Sequence, residues 1–429
     1  DTVRFYPMSL VVFSVVVYAL VSFIFRTSAW ELHSKSERLQ WLLETSICLL
    51  IVTCVDNVLI RIRRPSFTRK WIRLSIVVAA FAFIYNQNVL GPSANVSMVP
   101  NGTVLVTGAT TGIGYATATE LVRLGWTVIV PARDAKKAVA LAKRINEYVV
   151  SSSDNKGRAI AIVNHGLELT SQTSVRAYAA AIREKVKEIQ KPLSLLILNA
   201  GILRPTVPVT EDGTEVTIAA NHLGHHTLTV NLLPELQEAS ARGFDTRIVV
   251  LTSSSHRLAA EELFVPHKTK YHQNEDWTVL ANFSVPSNYE YFVAYSRSKL
   301  SNILWAQEVA QIVNSSSISV ITVHPGLVFT DITASLPVAM QIGQLFTFPV
   351  LALLMKPKTV GARSTLHAAL SPEFSAPLST VPYLENCLPV PDHTEYYDFH
   401  SVLAARKLLW AASVDYATIS VAKAREEED

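Results

Sequence analysis

Thr107-Gly108-Ala109-Thr110-Thr111-Gly112-Ile113-Gly114 is the stretch that decides the fold. An apolar strand-like run, Thr103 to Val106, leads into it, and a helical run, Tyr115 to Leu124, leaves it. A strand that passes through a glycine-rich turn into a helix presents bare backbone and the free N–H groups of the helix start. Both favour an anion, and a pyrophosphate is the anion such turns hold. A tight turn without a ligand is the other reading, and the strand and helix on either side argue against it.

Outward from this turn, strand-like runs recur at Thr127 to Val130, Ala159 to Val163, Leu195 to Leu198, Arg247 to Leu251 and Ser319 to Val323. Helical patterns separate them, with helices opening near Ile113, Ser174, Asn221 and Tyr295. Alternation of this kind predicts an α/β fold, a doubly wound parallel sheet covered on both faces. Gly91, Pro92 and Pro100 mark a linker ahead of it, so the domain is expected over residues 98–418, followed by a charged tail at 419–429.

Tyr295 and Lys299 are spaced Y-x-x-x-K on a helical segment, which puts both side chains on one face. A free phenol titrates near pH ~10, too high for proton transfer at neutrality, and an adjacent ammonium favours the phenolate. The pair is therefore a candidate acid–base unit that exchanges a proton with an alcohol or carbonyl oxygen.

The spacing of Gly108, Gly112 and Gly114, together with Tyr295 and Lys299, resembles the short-chain dehydrogenase/reductase family. Within that family the chain looks like the retinol dehydrogenase and WW domain-containing oxidoreductase branch, without a WW domain. The segments Asn221 to His225, Ala294 to Asn302 and His324 to Thr330 carry most of this likeness. The resemblance implies a Rossmann-type fold and a catalytic set of Asn221, Ser253, Tyr295 and Lys299. Ser253 would bond the reacting oxygen, and Asn221 would hold a water on the proton path to Lys299. For the cofactor it implies Thr107, Gly108, Thr110, Gly112, Ile113 and Gly114 in the turn, Glu168 near the adenine, and Asn199-Ala200-Gly201 beside the ribose. Tyr295 and Lys299 also border the cofactor, and Pro325, Gly326 and Thr330 contact the nicotinamide. At the end of the second strand Ala132 is followed by Arg133, where NAD-preferring relatives carry an acid. A guanidinium there suits a 2′-phosphate, so NADP(H) is the preferred cofactor and NAD(H) the alternative. Relatives often place a second basic residue just after the glycine turn; Tyr115 stands there in this chain.

Residues 1–92 read differently. Met8 to Phe25 runs without a charge and is long enough for a hydrocarbon core. No small-residue cleavage site follows it, so it reads as a retained anchor. Trp41 to Ile60 and Ile72 to Leu90 are further candidate spans, and Asp56 in the first suggests a helix packed against others. The expectation is a bundle of about three transmembrane helices, with the endoplasmic reticulum as the host membrane and the mitochondrial inner membrane as the alternative. Sequons at Asn95, Asn101, Asn282 and Asn314 suit a lumenal domain.

Between Ser253 and Tyr295 the chain carries Phe264, Tyr271, Trp277, Phe283, Tyr289, Tyr291 and Phe292, which could roof a pocket. Leu336 to Met355 is apolar but interrupted by Pro337, Gln341, Gly343, Gln344 and Pro349, and reads as part of a lid over 327–360. With an apolar lid and an anchor, the expected substrates are lipophilic alcohols and carbonyl compounds: retinoids, steroids or fatty chains. The bilayer is an expected partner, as is a second copy or a membrane-complex subunit. The alternative is a structural subunit of a membrane complex that keeps the nucleotide-binding fold.

Other classes drop out. Three cysteines, Cys48, Cys54 and Cys387, cannot form a disulfide framework. A net charge of +3 without a basic tract in the large domain argues against nucleic acid. His222, His225, His226, His256 and His324 fall at separate strand and helix ends and read as structural, so no metal is expected.

Overall fold

The apolar runs become the strands of one eight-stranded sheet. A computed structural model describes residues 94–98, 100–150, 157–203, 207–264, 277–328 and 355–426, all of them within one unit, Asn86–Asp429. The strands are β1 Thr103–Val106, β2 Thr127–Ile129, β3 Arg158–Ile160, β4 Leu193–Leu198, β5 Thr246–Leu251, β6 Ile318–His324, β7 Tyr383–Glu385 and β8 Leu388–Val390. Their order is β3-β2-β1-β4-β5-β6-β7-β8, parallel throughout except for the β7–β8 hairpin. β4 through β6 are buried along their length, which is why they read as continuous apolar runs rather than as an alternation.

The helices are α1 Gly112–Arg123, α2 Ala135–Val150, α3 Gln172–Ile189, α4 Gly224–Ala241, α5 His256–Phe264, α6 Tyr291–Val313, α7 Lys358–Leu370 and α8 Phe399–Glu426. Strand side chains point alternately to two faces. Leu105, Leu196, Leu198, Ile248 and Val250 pack with α3, α4, α6 and α8. Val104, Val106, Leu195, Ile197, Val249 and Leu251 pack with α1, α2 and α7. Two apolar cores thus sandwich the sheet.

A fully buried charged side chain lies inside this sandwich. It is Arg247 of β5, which forms a two-pronged pair with Asp245, at 2.9 and 2.6 Å. It also donates to the carbonyls of Ala368 at 3.0 Å and Ser371 at 2.7 Å. A buried guanidinium is tolerated when all its donors find acceptors, and here they join β5 to the end of α7.

Sequence order and sheet order part between β3 and β4: the chain builds outward from β1, then returns to the other side of it at β4. Such a reversal opens a crevice at the carboxyl ends of the two strands. Val106 is in register with Ile197, so the glycine turn after β1 and Asn199 after β4 meet there.

Six of the strands lie where the apolar runs predict them; β7 and β8 do not emerge from the sequence. The expected spans 8–25, 41–60 and 72–90 lie outside the described residues, as do Tyr271, Thr330 and residues 329–354 of the expected lid. Among the described residues no helix is long and apolar enough to cross a membrane.

Candidate active site

The glycine turn is closed by the residues that follow β4. Gly108 and Gly112 have φ of 66° and 59°, a region that disfavours residues with a Cβ. At Gly114 a Cβ would stand 2.3 Å from both the Gly108 carbonyl oxygen and Asn199 Nδ2. Thr107 Oγ1 accepts from the backbone N–H groups of Asn199 at 2.9 Å and Ala200 at 3.0 Å. Asn199 Nδ2 donates to the Thr107 carbonyl at 2.8 Å. Thr111 precedes α1 without a side-chain cap, which leaves first-turn N–H groups open to an anion. These features fit a dinucleotide pyrophosphate.

The hydroxyl of Thr107 also lies 3.0 Å from His225 Nε2, and His225 Nδ1 lies 3.1 Å from the Asn221 carbonyl. A carbonyl only accepts, so Nδ1 carries the proton and Nε2 accepts from Thr107. The ring is neutral. Burial holds His225 far below the usual histidine range, at about 3, with Lys299 adding to the effect. It joins the glycine turn to Asn221.

Asn221 sits in a π-helical turn, Ala219–Leu223, that runs into α4. Such single-turn π bulges often mark functional positions. Its side chain is buried, pairs with the backbone of Ile202, and donates to Ser298 Oγ at 3.0 Å. Ser298 in turn donates to the Tyr295 carbonyl at 2.7 Å.

Tyr295 and Lys299 fall one turn apart on α6 as the spacing requires, with Lys299 Nζ 5.6 Å from the centre of the Tyr295 ring. Lys299 is buried and donates to the Leu251 carbonyl at the end of β5 at 3.1 Å. The Thr252 hydroxyl, one residue on, donates to the Lys299 carbonyl at 2.9 Å. Among the serines that follow, Ser253 hydrogen-bonds the Tyr295 phenol.

The electrostatics differ from the expectation that Lys299 lowers the phenol. Burial pushes Tyr295 above the ordinary phenol range, opposed by the hydrogen bond from Ser253, and burial pulls Lys299 down to about 8. The enclosed phenol is thus a neutral O–H donor at neutral pH, while the lysine keeps its charge there.

Other expected residues spread along the crevice. Arg133 is exposed, with Nε 3.9 Å from Glu168 Oε2. Glu168 turns its other oxygen onto Thr170, accepting from its N–H at 3.1 Å and its hydroxyl at 2.9 Å. Pro325 and Gly326 follow β6, Gly326 with φ of 86°. Of the expected aromatic roof, Phe264 and Phe283 are committed to the core, and the Tyr289 hydroxyl donates to Glu215 at 3.0 Å. Phe292 is exposed. Sequence reasoning missed Ser298, which looks like any helix serine, and Arg144, whose Nη2 donates to the Thr110 carbonyl at 3.1 Å.

The family model described as short chain dehydrogenase matches residues 102–264. Retinol dehydrogenase 12 of Mus musculus is 31% identical over 289 residues, 67% of this chain and 79% of the relative. Retinol dehydrogenase 14 of Homo sapiens is 34% identical over 277 residues, covering 63% and 74%. Among solved structures, an uncharacterized protein from Mycobacterium Paratuberculosis is similar with a TM-score of 0.50 and 25% identity, over 76% of this chain and 96% of that one.

Proposed function

The chain belongs to the short-chain dehydrogenase family and is an NAD(P)-dependent oxidoreductase acting on CH–OH groups; from that premise we propose that it interconverts a lipophilic alcohol and its carbonyl compound with NADP(H), anchored in the endoplasmic reticulum membrane by residues 1–92. The observation that carries the chemistry is the phenol of half-buried Tyr295, hydrogen-bonded to Ser253, with the Lys299 ammonium beside its ring. Substrate class and anchoring rest on the apolar character of 8–25 and 336–355 and on the retinol dehydrogenases being relatives.

In the reductive direction the carbonyl oxygen of the substrate accepts hydrogen bonds from Tyr295 and Ser253. Tyr295 passes its proton to that oxygen as the hydride reaches the carbon, which balances the conversion of C=O to CH–OH. Lys299 then faces a phenolate, and its buried positive charge stabilises that anion. Oxidation reverses the steps, with the phenolate taking the alcohol proton. Asn221 fixes Ser298 and the backbone of Tyr295, and so the aim of the phenol. When bound, the nicotinamide ring donates or accepts the hydride. Gly108, Gly112, Ile113 and Gly114 would hold its pyrophosphate, Arg133 the 2′-phosphate, and Pro325 and Gly326 the ring end.

The test uses the full chain in detergent with NADPH and a panel of long-chain aldehydes, retinal and steroid ketones. Wild type consumes NADPH, and Tyr295→Phe lowers the rate by roughly 10²- to 10⁴-fold. Equal rates in the two proteins would overturn the mechanism; turnover of short polar aldehydes only would overturn the substrate class.

A further inference from the structure

Beside the glycine turn, at Tyr115, lie two cations that the catalytic set does not use. The Arg144 guanidinium, on α2, lies 4.4 Å from the centre of the Tyr115 ring, and Lys358 Nζ, at the start of α7, lies 5.5 Å from the same centre. Both residues are exposed. Among the described residues neither forms an ion pair with a carboxylate, whereas Arg133 faces Glu168. Two like charges gathered on one aromatic ring, unbalanced by an acid, repel each other until an anion joins them.

The place of Arg144 says which anion. Its Nη2 is fixed on the Thr110 carbonyl, within the turn that would hold the pyrophosphate, and its helix is the one that follows β2. In a doubly wound sheet the adenosine half of a dinucleotide runs from that turn toward the end of β2. A guanidinium has five donors in a planar fork; one is occupied by Thr110, and the ring beneath it restrains the side chain so that the others need little further ordering.

We propose that Arg144, seated on Tyr115, is a 2′-phosphate anchor and a determinant of preference for NADP(H) over NAD(H). It takes the part that a basic residue at position 115 would otherwise play. This rests on the NADP(H) reading above. Lys358, 5.5 Å from the centre of the same ring, adds positive field.

The test measures binding, with no turnover, of adenosine 2′,5′-bisphosphate and adenosine 5′-monophosphate to the full chain in detergent, with inorganic phosphate as a control. Wild type should favour the bisphosphate. Arg144→Gln should weaken the bisphosphate roughly tenfold to a hundredfold, the loss of one or two charge-assisted hydrogen bonds, and leave the monophosphate unchanged; Arg144→Lys should restore part of the difference. Arg144 is exposed, so an unaltered melting curve is expected and checks the fold. If wild type shows no preference for the bisphosphate, the NADP(H) reading falls and this proposal with it. If wild type prefers it and Arg144→Gln keeps the preference, or loses both ligands equally, this proposal alone is overturned, the second result making Arg144 a support of the turn.

Discussion

Asn221 and Ile202 hold each other through a two-way amide pairing: Oδ1 accepts from the Ile202 N–H at 2.8 Å, and Nδ2 donates to the Ile202 carbonyl at 2.9 Å. The side chain imitates a neighbouring strand and fastens the loop after β4 to the π turn. Replacing it by Leu leaves a part-buried N–H and a carbonyl without partners and frees Ser298. Asn221→Leu should cost on the order of 3 kcal/mol, read as a lowered denaturant midpoint. Asn221→Asp should do comparable harm, because a carboxylate cannot donate to the carbonyl. An unchanged midpoint in both variants would remove the positioning role.

Lys299 gives opposite trends for activity and stability. Its pKa is lowered from 10.5 to about 8 by burial, so between these values the unfolded chain binds the proton more readily than the folded one. This group therefore adds stability as pH rises through that window and withdraws it as pH falls through about 8. Catalysis needs the ammonium, so the rate should drop above pH ~8. A pH–rate profile and melting curves on the same buffers measure both; a rate limb absent in wild type would contradict the assignment.

Three buried histidines predict acid sensitivity. His222 and His225 are held at about 3 and His226 at about 4, in each case chiefly by burial. Their folded values lie below the ordinary 6.5, so their stabilising contribution is whole above that pH and is lost as pH falls toward their folded values. Each costs about 1.4 kcal/mol per pH unit inside the window. His226 accepts from Trp305 Nε1 at 3.0 Å, so indole fluorescence should report the loss. His226→Phe should soften the acid transition; an unchanged slope would show that other groups set it.

Gly114→Ala should damage the turn more than a surface substitution does. The added carbon would lie 2.3 Å from the Gly108 carbonyl oxygen, a backbone contact that cannot swing aside. Overpacking of this kind costs typically ~1–3 kcal/mol, and the shift it forces should abolish binding of adenosine nucleotides. Calorimetric titration checks this, and retained affinity would place the pyrophosphate elsewhere.

Much of this was legible in the residues because parallel, doubly covered strands need uninterrupted apolar runs, as Leu195 to Leu198 shows. Tyr295 and Lys299 were legible because helical spacing alone fixes their common face. β7 and β8 were not: each has three residues, and β8 contains Pro389, which reads as a turn. Spacing alone does not separate Ser253 from Ser254 and Ser255; the family resemblance does, and Ser253 is the one hydrogen-bonded to the Tyr295 phenol. Arg144 is hidden for a different reason, since it lies on a helix that also carries Lys136, Lys137 and Lys143, and nothing local says which of these cations faces the turn. The rise of the Tyr295 phenol likewise depends on enclosure, which a charge count along the chain does not contain.

The guanidinium locked in β5 also bears on how this polypeptide matures at the ribosome. The acceptors contributed by Ala368 and Ser371 come 121 and 124 residues after Arg247, a delay on the order of ten seconds at ordinary translation speeds. Until they emerge, the middle of the sheet holds an ionic group with only Asp245 to offset it. Until α7 emerges, the nascent domain lacks two of the acceptors that satisfy this guanidinium, so the hydrogen bonding of its central layers is incomplete.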